Sequence, residues 1–441
     1  MKYSMNALSL WAYEDMVMIY QKIIGFFNKD NASKVIALLI IFALILTIGA
    51  IYCFYKSSDV TWDVYNFYLQ AEALKSGLRP YSDFYLEFPP ASIYVFLIPS
   101  LFTSDYDAYR AIFSIIVAIF SLMTAYVVAK ICENHGKNPV LPMIAFIVFV
   151  CAFFSADFFI KFDIVPTFLS ILGIYLYDKG MKKSSYGCLM LGALIKLYPA
   201  LILLILFIRN LSTHNINLKT LFYEIKNLII PCSIVFVIVI LPYIIMGVNL
   251  ADLKMFISTQ MNRGFHVESF IGSLSIFLGS LGFFEYNISP SMGTSDVISI
   301  VSDILTPVWG IIMFIIMCIG LLIVALAQRK SDNFSINIVS SALILLMFIL
   351  SNYVFSTQYL IWLFPFVSLM MVFTKNGMII TKLFLIAEIL STYALYLSNF
   401  NFGFGIVEMF RNILLLYIVV QLIRSTEIFE KKNEFLIPHQ T

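Results

Sequence analysis

The sequence predicts an all-α polytopic membrane protein, and three observations carry that prediction. The 441-residue chain is 61% hydrophobic and 12% charged, with a mean hydropathy of +0.92, a composition that excludes a soluble globular fold. Apolar runs of about 20 residues, the length that crosses a bilayer, recur from end to end. The connections alternate between short basic stretches and longer acidic or aromatic ones, which orients the chain. A net charge of +2 offers nothing to nucleic acid. Cys53, Cys132, Cys151, Cys188, Cys232 and Cys318 lie in or at the ends of apolar runs without paired spacing. They read as small core residues, not as a disulfide framework or zinc site. Residues 1–30 mix polar and aromatic types and do not read as a cleavable leader.

In chain order, about ten full spans are expected, over 35–54, 109–130, 139–154, 162–178, 228–247, 302–327, 334–354, 359–373, 378–397 and 405–423. The connections 130–137, 179–183 and 328–330 are short and basic, so they belong in the cytoplasm. Residues 1–34 then form a cytoplasmic segment, 35–424 the membrane-embedded domain, and 425–441 a cytoplasmic tail. Of the lysines and arginines, only Lys196 and Arg411 remain at membrane depth. Two long connections, about 55–108 and 248–301, fall outside, and long connections carry function more often than short ones. Residues 184–208 do not fit a single crossing, because both flanks look cytoplasmic. Pro199 removes a helical hydrogen bond and pushes Tyr198 out of the helical region. Two re-entrant half-helices meeting near Lys196 resolve the conflict. Broken backbone at depth must be covered by protein or line a wet cavity, so Lys196 is expected to face a polar cavity.

The first long connection holds Asp59, Asp63, Glu72, Asp83 and Glu87, more acid than a plain anchor needs. Thr61 to Ser76 has helical spacing, with Asp59 or Thr61 to start it and Gly77 to stop it, and is expected to lie in the interface. Arg79-Pro80-Tyr81 turns the chain, and a short apolar run from Pro89-Pro90 to Leu101 dips into the membrane. The second long connection brings Arg263, His266 and Glu268 within six residues; arginine presents a planar fork to phosphate oxygens, and histidine adds a donor. Ser351 to Pro365 clusters Asn352, Ser356, Gln358 and Trp362, amides beside aromatic rings that suit a sugar. Asp163 opens a span, as a helix cap or a substrate contact. Arg411 is expected to pair with Glu408, one turn away.

Four stretches taken together resemble a known family. They are D-V-Y…G-L-R-P-Y-S-D-F-Y-L-E-F-P-P (63–90), F-D-I-V-P (162–166) with K-L-Y-P (196–199), R-G-F-H-V-E-S (263–269) and F-S-T-Q-Y-L-I-W (355–362). Their order and placement are similar to glycosyltransferase family 87, the polyprenyl-phosphate-mannose-dependent branch of the glycosyltransferase C superfamily, over about residues 55–365. The resemblance implies a bundle of that superfamily's type. It also implies an inverting enzyme that moves a hexosyl group, most often mannose, from a polyprenyl phosphate to an acceptor hydroxyl on the extracytoplasmic face. Asp63 best matches the family's general base, with Asp59 as runner-up. A sugar hydroxyl is a poor nucleophile that a carboxylate can deprotonate as the bond forms. The phosphate leaving group needs positive charge, for which Lys196, Arg263 and His266, with Tyr198 beside them, are the candidates. Arg79, Tyr81, Asp83, Glu87, Asp163, Glu268, Gln358 and Tyr359 are the candidates for sugar or acceptor contact. No cofactor is expected, and a divalent metal is not favoured. The expected partners are the lipid-linked donor, a glycan, glycolipid or glycoprotein acceptor, and membrane lipid, in a prokaryotic plasma membrane. A secondary transporter or lipid flippase is the rival reading, since broken helices and intramembrane charges mark those too.

Overall fold

The computed structural model describes residues 30–56, 62–153, 158–212, 218–249, 251–261, 263–291, 294–397, 399–426 and 428. Asp59 and Thr61 lie outside the described residues, as does most of the expected terminal segments 1–34 and 425–441. The chain folds as α1 (Asn31–Lys56), α2 (Trp62–Lys75), α3 (Ser92–Ser100), α4 (Tyr106–Asn134), α5 (Val140–Ala152), α6 (Ile164–Asp178), α7 (Lys182–Ile195), α8 (Pro199–Ser212) and α9 (Leu218–Ile245). Then come α10 (Met255–Met261), α11 (Phe270–Ser280), a hairpin of β1 (Tyr286–Ser291) and β2 (Thr294–Ser299), and α12 (Ile300–Lys330). The last helices are α13 (Phe334–Ser351), α14 (Phe364–Phe373), α15 (Gly377–Ala394) and α16 (Phe402–Ser425). The protein is an all-α polytopic membrane protein, as its composition predicts.

Seven of these helices, α1, α4, α9, α12, α13, α15 and α16, are long and apolar enough to cross a bilayer. The stretches 139–154, 162–178 and 359–373, expected as full spans, form shorter apolar helices instead. Protein encloses two of them: Phe364 to Met370 of α14 are all buried, and so is most of α6, whereas α5 keeps Leu141, Ile144 and Val148 exposed. α13 sits at the centre, with 83% of its span window buried, whereas α9 and α12 at 17% turn most of their surface to lipid. One continuous apolar core threads the bundle from Phe42 on α1 to Leu422 on α16. The described cysteines, Cys132, Cys151, Cys188, Cys232 and Cys318, are free.

The two half-helices expected around Pro199 are α7 and α8. The break is sharp because Lys196 is fully extended (φ −153°, ψ 134°). Proline then opens α8, where its missing N–H costs nothing. In the first long connection α2 ends at Gly77, whose φ of +86° only glycine adopts without strain. The connection is tied to the hairpin tip by the Ala91 N–H, which donates to Leu194 O at 2.7 Å.

The β-hairpin was not foreseen. Its strands pair Ile288 with Val297, and Val297 is buried, but two apolar residues per strand, Tyr286 and Ile288 then Val297 and Ile298, give only a faint alternation. The hairpin braces the second connection. Asp296 Oδ2 accepts from the Gly264 N–H at 3.1 Å, and the Val297 N–H donates to Phe265 O at 2.8 Å. The segment 263–268 is thereby held against the bundle.

Candidate active site

Three ion pairs meet where the first connection, the start of α6, the α7–α8 break and the second connection converge. Asp63, in the first turn of α2, pairs with Lys161. Asp163, at the start of α6, accepts from Lys196 Nζ at 2.5 Å. Glu87 Oε2 accepts from Arg263 Nη2 at 2.8 Å. The pairs form one cluster. The Glu87 carboxyl lies in the field of Asp63 and Lys196 as well as Arg263, and Lys196 lies in the field of Lys161 and Glu87. Lys161 and Asp163 flank Phe162, whose ring packs at 4.9 Å from Phe88 and 5.2 Å from Phe96. That one ring joins the α6 entry to the chain around Glu87.

Lys196 is buried among aromatic rings. Its ammonium lies 5.1 Å from the ring centre of Phe162, 5.2 Å from Tyr359 and 5.4 Å from Trp362, distances at which an aromatic face attracts a cation. Trp362 stacks between Tyr198 at 4.2 Å and Tyr359 at 4.3 Å. Its indole N–H donates to Asp163 Oδ1 at 2.6 Å, and the Tyr198 hydroxyl bonds Thr167 Oγ1 at 2.8 Å. Asp163 makes no helix cap; the capping alternative gives way to the ion pair. Its Oδ2 is buried without a partner among the described residues, an acceptor left unmet.

Other candidates hold the frame. His266 Nδ1 donates to Phe355 O at 2.6 Å, which fixes the ring against the 353–357 turn. Glu268 Oε2 accepts from the Thr357 N–H at 2.6 Å and the Thr357 hydroxyl at 2.7 Å. It thus pins the 3₁₀ segment Thr357–Leu363, which carries Tyr359 and Trp362. Arg411 in turn donates to Glu268 O and pairs with Glu408 on its own helix, as expected. Gln358 Oε1 is buried without a hydrogen bond. Arg79 and Asp83 face each other at the rim: the guanidinium grips the carboxylate at 2.9 and 3.0 Å and holds the Asp83 carboxyl down at about 2. Tyr81 is buried, and its hydroxyl donates to Phe88 O at 2.6 Å. Glu87 differs, because burial pushes its carboxyl up more than Arg263 draws it down. Among the described residues no three His, Cys, Asp or Glu side chains converge as metal ligands.

A groove of about 450 Å³ opens beside the cluster, lined by Pro90, Leu194, Ile240, Leu253, Lys254 and Phe256. Pro90 lies three residues from Glu87, and Leu194 two from Lys196. The groove lies against the lipid-facing helix α9, and none of the six ion-paired side chains lines it.

Residues 85–352 match the model of glycosyltransferase family 87. The chain belongs to that family. No curated protein matches it. This family 87 member is therefore a multi-pass membrane glycosyltransferase, and it needs places for a sugar donor and an acceptor. The matched segment contains Glu87, Lys161, Asp163, Lys196, Arg263, His266 and Glu268, while Asp63, Tyr359 and Trp362 lie beyond its ends.

Sequence reasoning singled out Asp63, Glu87, Asp163, Lys196, Tyr198, Arg263 and Tyr359, and the fold brings them together. It did not single out Lys161. The only signal was position: a lysine directly before the F-D-I-V-P stretch, where an apolar run enters the bundle. Phe162 and Thr357 were quoted within motifs without a role.

Proposed function

We propose that this glycosyltransferase takes a hexosyl group, mannose foremost, from a polyprenyl phosphate and passes it to an acceptor hydroxyl on the extracytoplasmic face, with inversion. One observation carries the reading: a carboxylate on α2, Asp63, sits in one cluster with three cations beside an apolar groove. An isoprenoid chain suits that groove, because it can enter from lipid between α9 and α10 and present its phosphate to the cluster. The groove's volume lies within the usual range of about 300–1,000 Å³ for ligand sites.

The chemistry follows from the charges. Asp63 takes the proton of the acceptor hydroxyl as its oxygen bonds to the anomeric carbon from the face opposite the phosphate. The bond from that carbon to the phosphate oxygen breaks, and polyprenyl phosphate leaves with the electron pair. The leaving group gains a negative charge, which the field of Arg263 and Lys196 stabilises. The unmet Asp163 Oδ2 and the Tyr359 ring suit a sugar, one as acceptor for a hydroxyl and the other as a flat apolar face. The reading routes no step through a metal, since lysine and arginine supply the positive charge.

Purified protein incubated with radiolabelled polyprenyl-phosphate sugars and native membrane extract tests the proposal. A labelled, covalently transferred product is expected. Asp63→Asn should cut transfer by about 100-fold or more, the usual worth of a general base, while donor still binds. Solute or lipid movement into vesicles with no covalent product sinks the reading, and so does full turnover by Asp63→Asn.

A further inference from the structure

The proposed base is occupied. Asp63 Oδ2 is held by Lys161, so the ammonium stands where the acceptor hydroxyl would have to bring its proton. The three pairs differ in how open they are. Lys196 and Asp163 expose 11% and 1% of their side chains, and rings and an indole N–H enclose them. Arg263 exposes 6%. Lys161 exposes 21% and Asp63 42%. The Lys161–Asp63 pair is therefore the most exposed of the three and the easiest for an arriving anion to open. It is also cheap to open, because water screens a partly exposed pair and leaves it contributing little.

We infer that Lys161 is a direct contact for the donor phosphate and a latch on the base: the phosphodiester draws the Lys161 ammonium away from Asp63, which frees the carboxylate for the acceptor only when donor is in place. The inference rests on the polyprenyl-phosphate reading above and deepens it by ordering the substrates, donor first. No proton moves in the exchange; the ammonium changes anions.

The test uses the full chain in lipid nanodiscs and decaprenyl phosphate, a probe with no sugar, titrated against the intrinsic tryptophan fluorescence. Lys161→Gln should weaken binding about tenfold, as the loss of a hydrogen bond to a charged group does, and Lys161→Arg should retain it. Asp63→Asn has the opposite sign: by removing the competing anion it should tighten binding about threefold, the worth of a partly exposed pair. In the Lys161→Gln background that gain should vanish. Asp63→Asn binding no tighter than wild type overturns the latch and leaves the donor class standing. A gain that persists without Lys161 also overturns it, because that is bulk electrostatics. Failure of the wild-type protein to bind decaprenyl phosphate removes the donor class and the latch together. If Lys161→Gln does not fold, Asp63→Asn and Lys161→Arg decide: a gain in the first with retained binding in the second supports the latch, and absence of the gain overturns it.

Discussion

The Lys196–Asp163 pair makes the sharpest energetic prediction. Asp163 exposes 1% of its side chain and Lys196 11%, and their charged atoms are 2.5 Å apart. Removing one partner strands the other charge in a dry site, at about 3–5 kcal/mol. Asp163→Ala and Lys196→Met should each fall in that range. If the two losses were independent, the double variant would lose about 6–10 kcal/mol, enough to unfold a protein of ordinary stability. With both charges gone nothing is stranded, and what remains is the Trp362 N–H without its acceptor, about 1–3 kcal/mol. The coupling between the sites is then at least about 3 kcal/mol, well above the usual 0.5 kcal/mol scatter of additive pairs. Equilibrium unfolding of the full chain in mixed micelles, titrated with dodecyl sulfate, measures all four corners of the cycle. Additivity within that scatter refutes the reasoning, because it means that neither charge depends on the other.

Three further outcomes follow from the geometry. Arg411 is fully buried, pairs with Glu408 and donates to Glu268 O, so Arg411→Ala should cost about 3–5 kcal/mol and Arg411→Lys should not rescue it, since an ammonium lacks the fork that spans both partners; thermal unfolding checks both. Trp362→Phe keeps the stack with Tyr198 and Tyr359 but removes the indole donor to Asp163, so it should destabilise by about 1–3 kcal/mol and loosen the face proposed for the sugar, read as a larger rise in donor KM than fall in kcat. Burial raises the Glu87 carboxyl above its ordinary value of 4.5. The folded state therefore keeps that proton to a higher pH than the unfolded chain, and this contribution to stability is present below 4.5 and is lost as pH rises through the raised value. Glu87→Gln should remove that part of the pH dependence, which stability curves across the acid range will show.

Much of the fold is legible because membrane physics simplifies the code. Apolar length marks the spans, basic connections orient them, and one proline inside an apolar run betrays the break at Lys196. The reading fails where length stops being the criterion. The 139–154, 162–178 and 359–373 runs look like spans, yet they form the short helices α5, α6 and α14; protein covers most of α6 and α14, and a covered helix need not match the bilayer. The β1–β2 hairpin is hidden for another reason: its pairing is backbone to backbone, and each short strand has only two apolar residues. Within the site, residue type is visible and partnership is not. Asp63 stands out as an acid beside a span, but nothing in sequence pairs it with a lysine 98 positions on. Glu268 and His266 look like ligands because of their chemistry; what sequence does not show is that Glu268 Oε2 and His266 Nδ1 also brace the 353–357 turn that positions Tyr359 and Trp362.

The pairing itself bears on turnover. Three free cations at a lipid boundary would cost several kcal/mol each in desolvation and would bind any phosphate strongly. Three cations matched by Asp63, Asp163 and Glu87 leave a cluster that is neutral at rest. On the proposed reaction the donor arrives with one negative charge and polyprenyl phosphate departs with roughly two, so an unpaired clamp would grip the product more tightly than the substrate. Carboxylates that can reclaim their cations oppose that grip. The same competition that holds Asp63 back before donor arrives would help expel polyprenyl phosphate afterwards, once Asp63 has given up its proton and can bind Lys161 again. Lys161→Arg, with a more strongly bonding fork, should then slow product release while leaving donor affinity in place. Pre-steady-state kinetics would show this as a burst of one transferred sugar per enzyme followed by a slow steady phase. A steady rate equal to the burst rate in that variant would separate the latch from product release and confine Lys161 to the binding step.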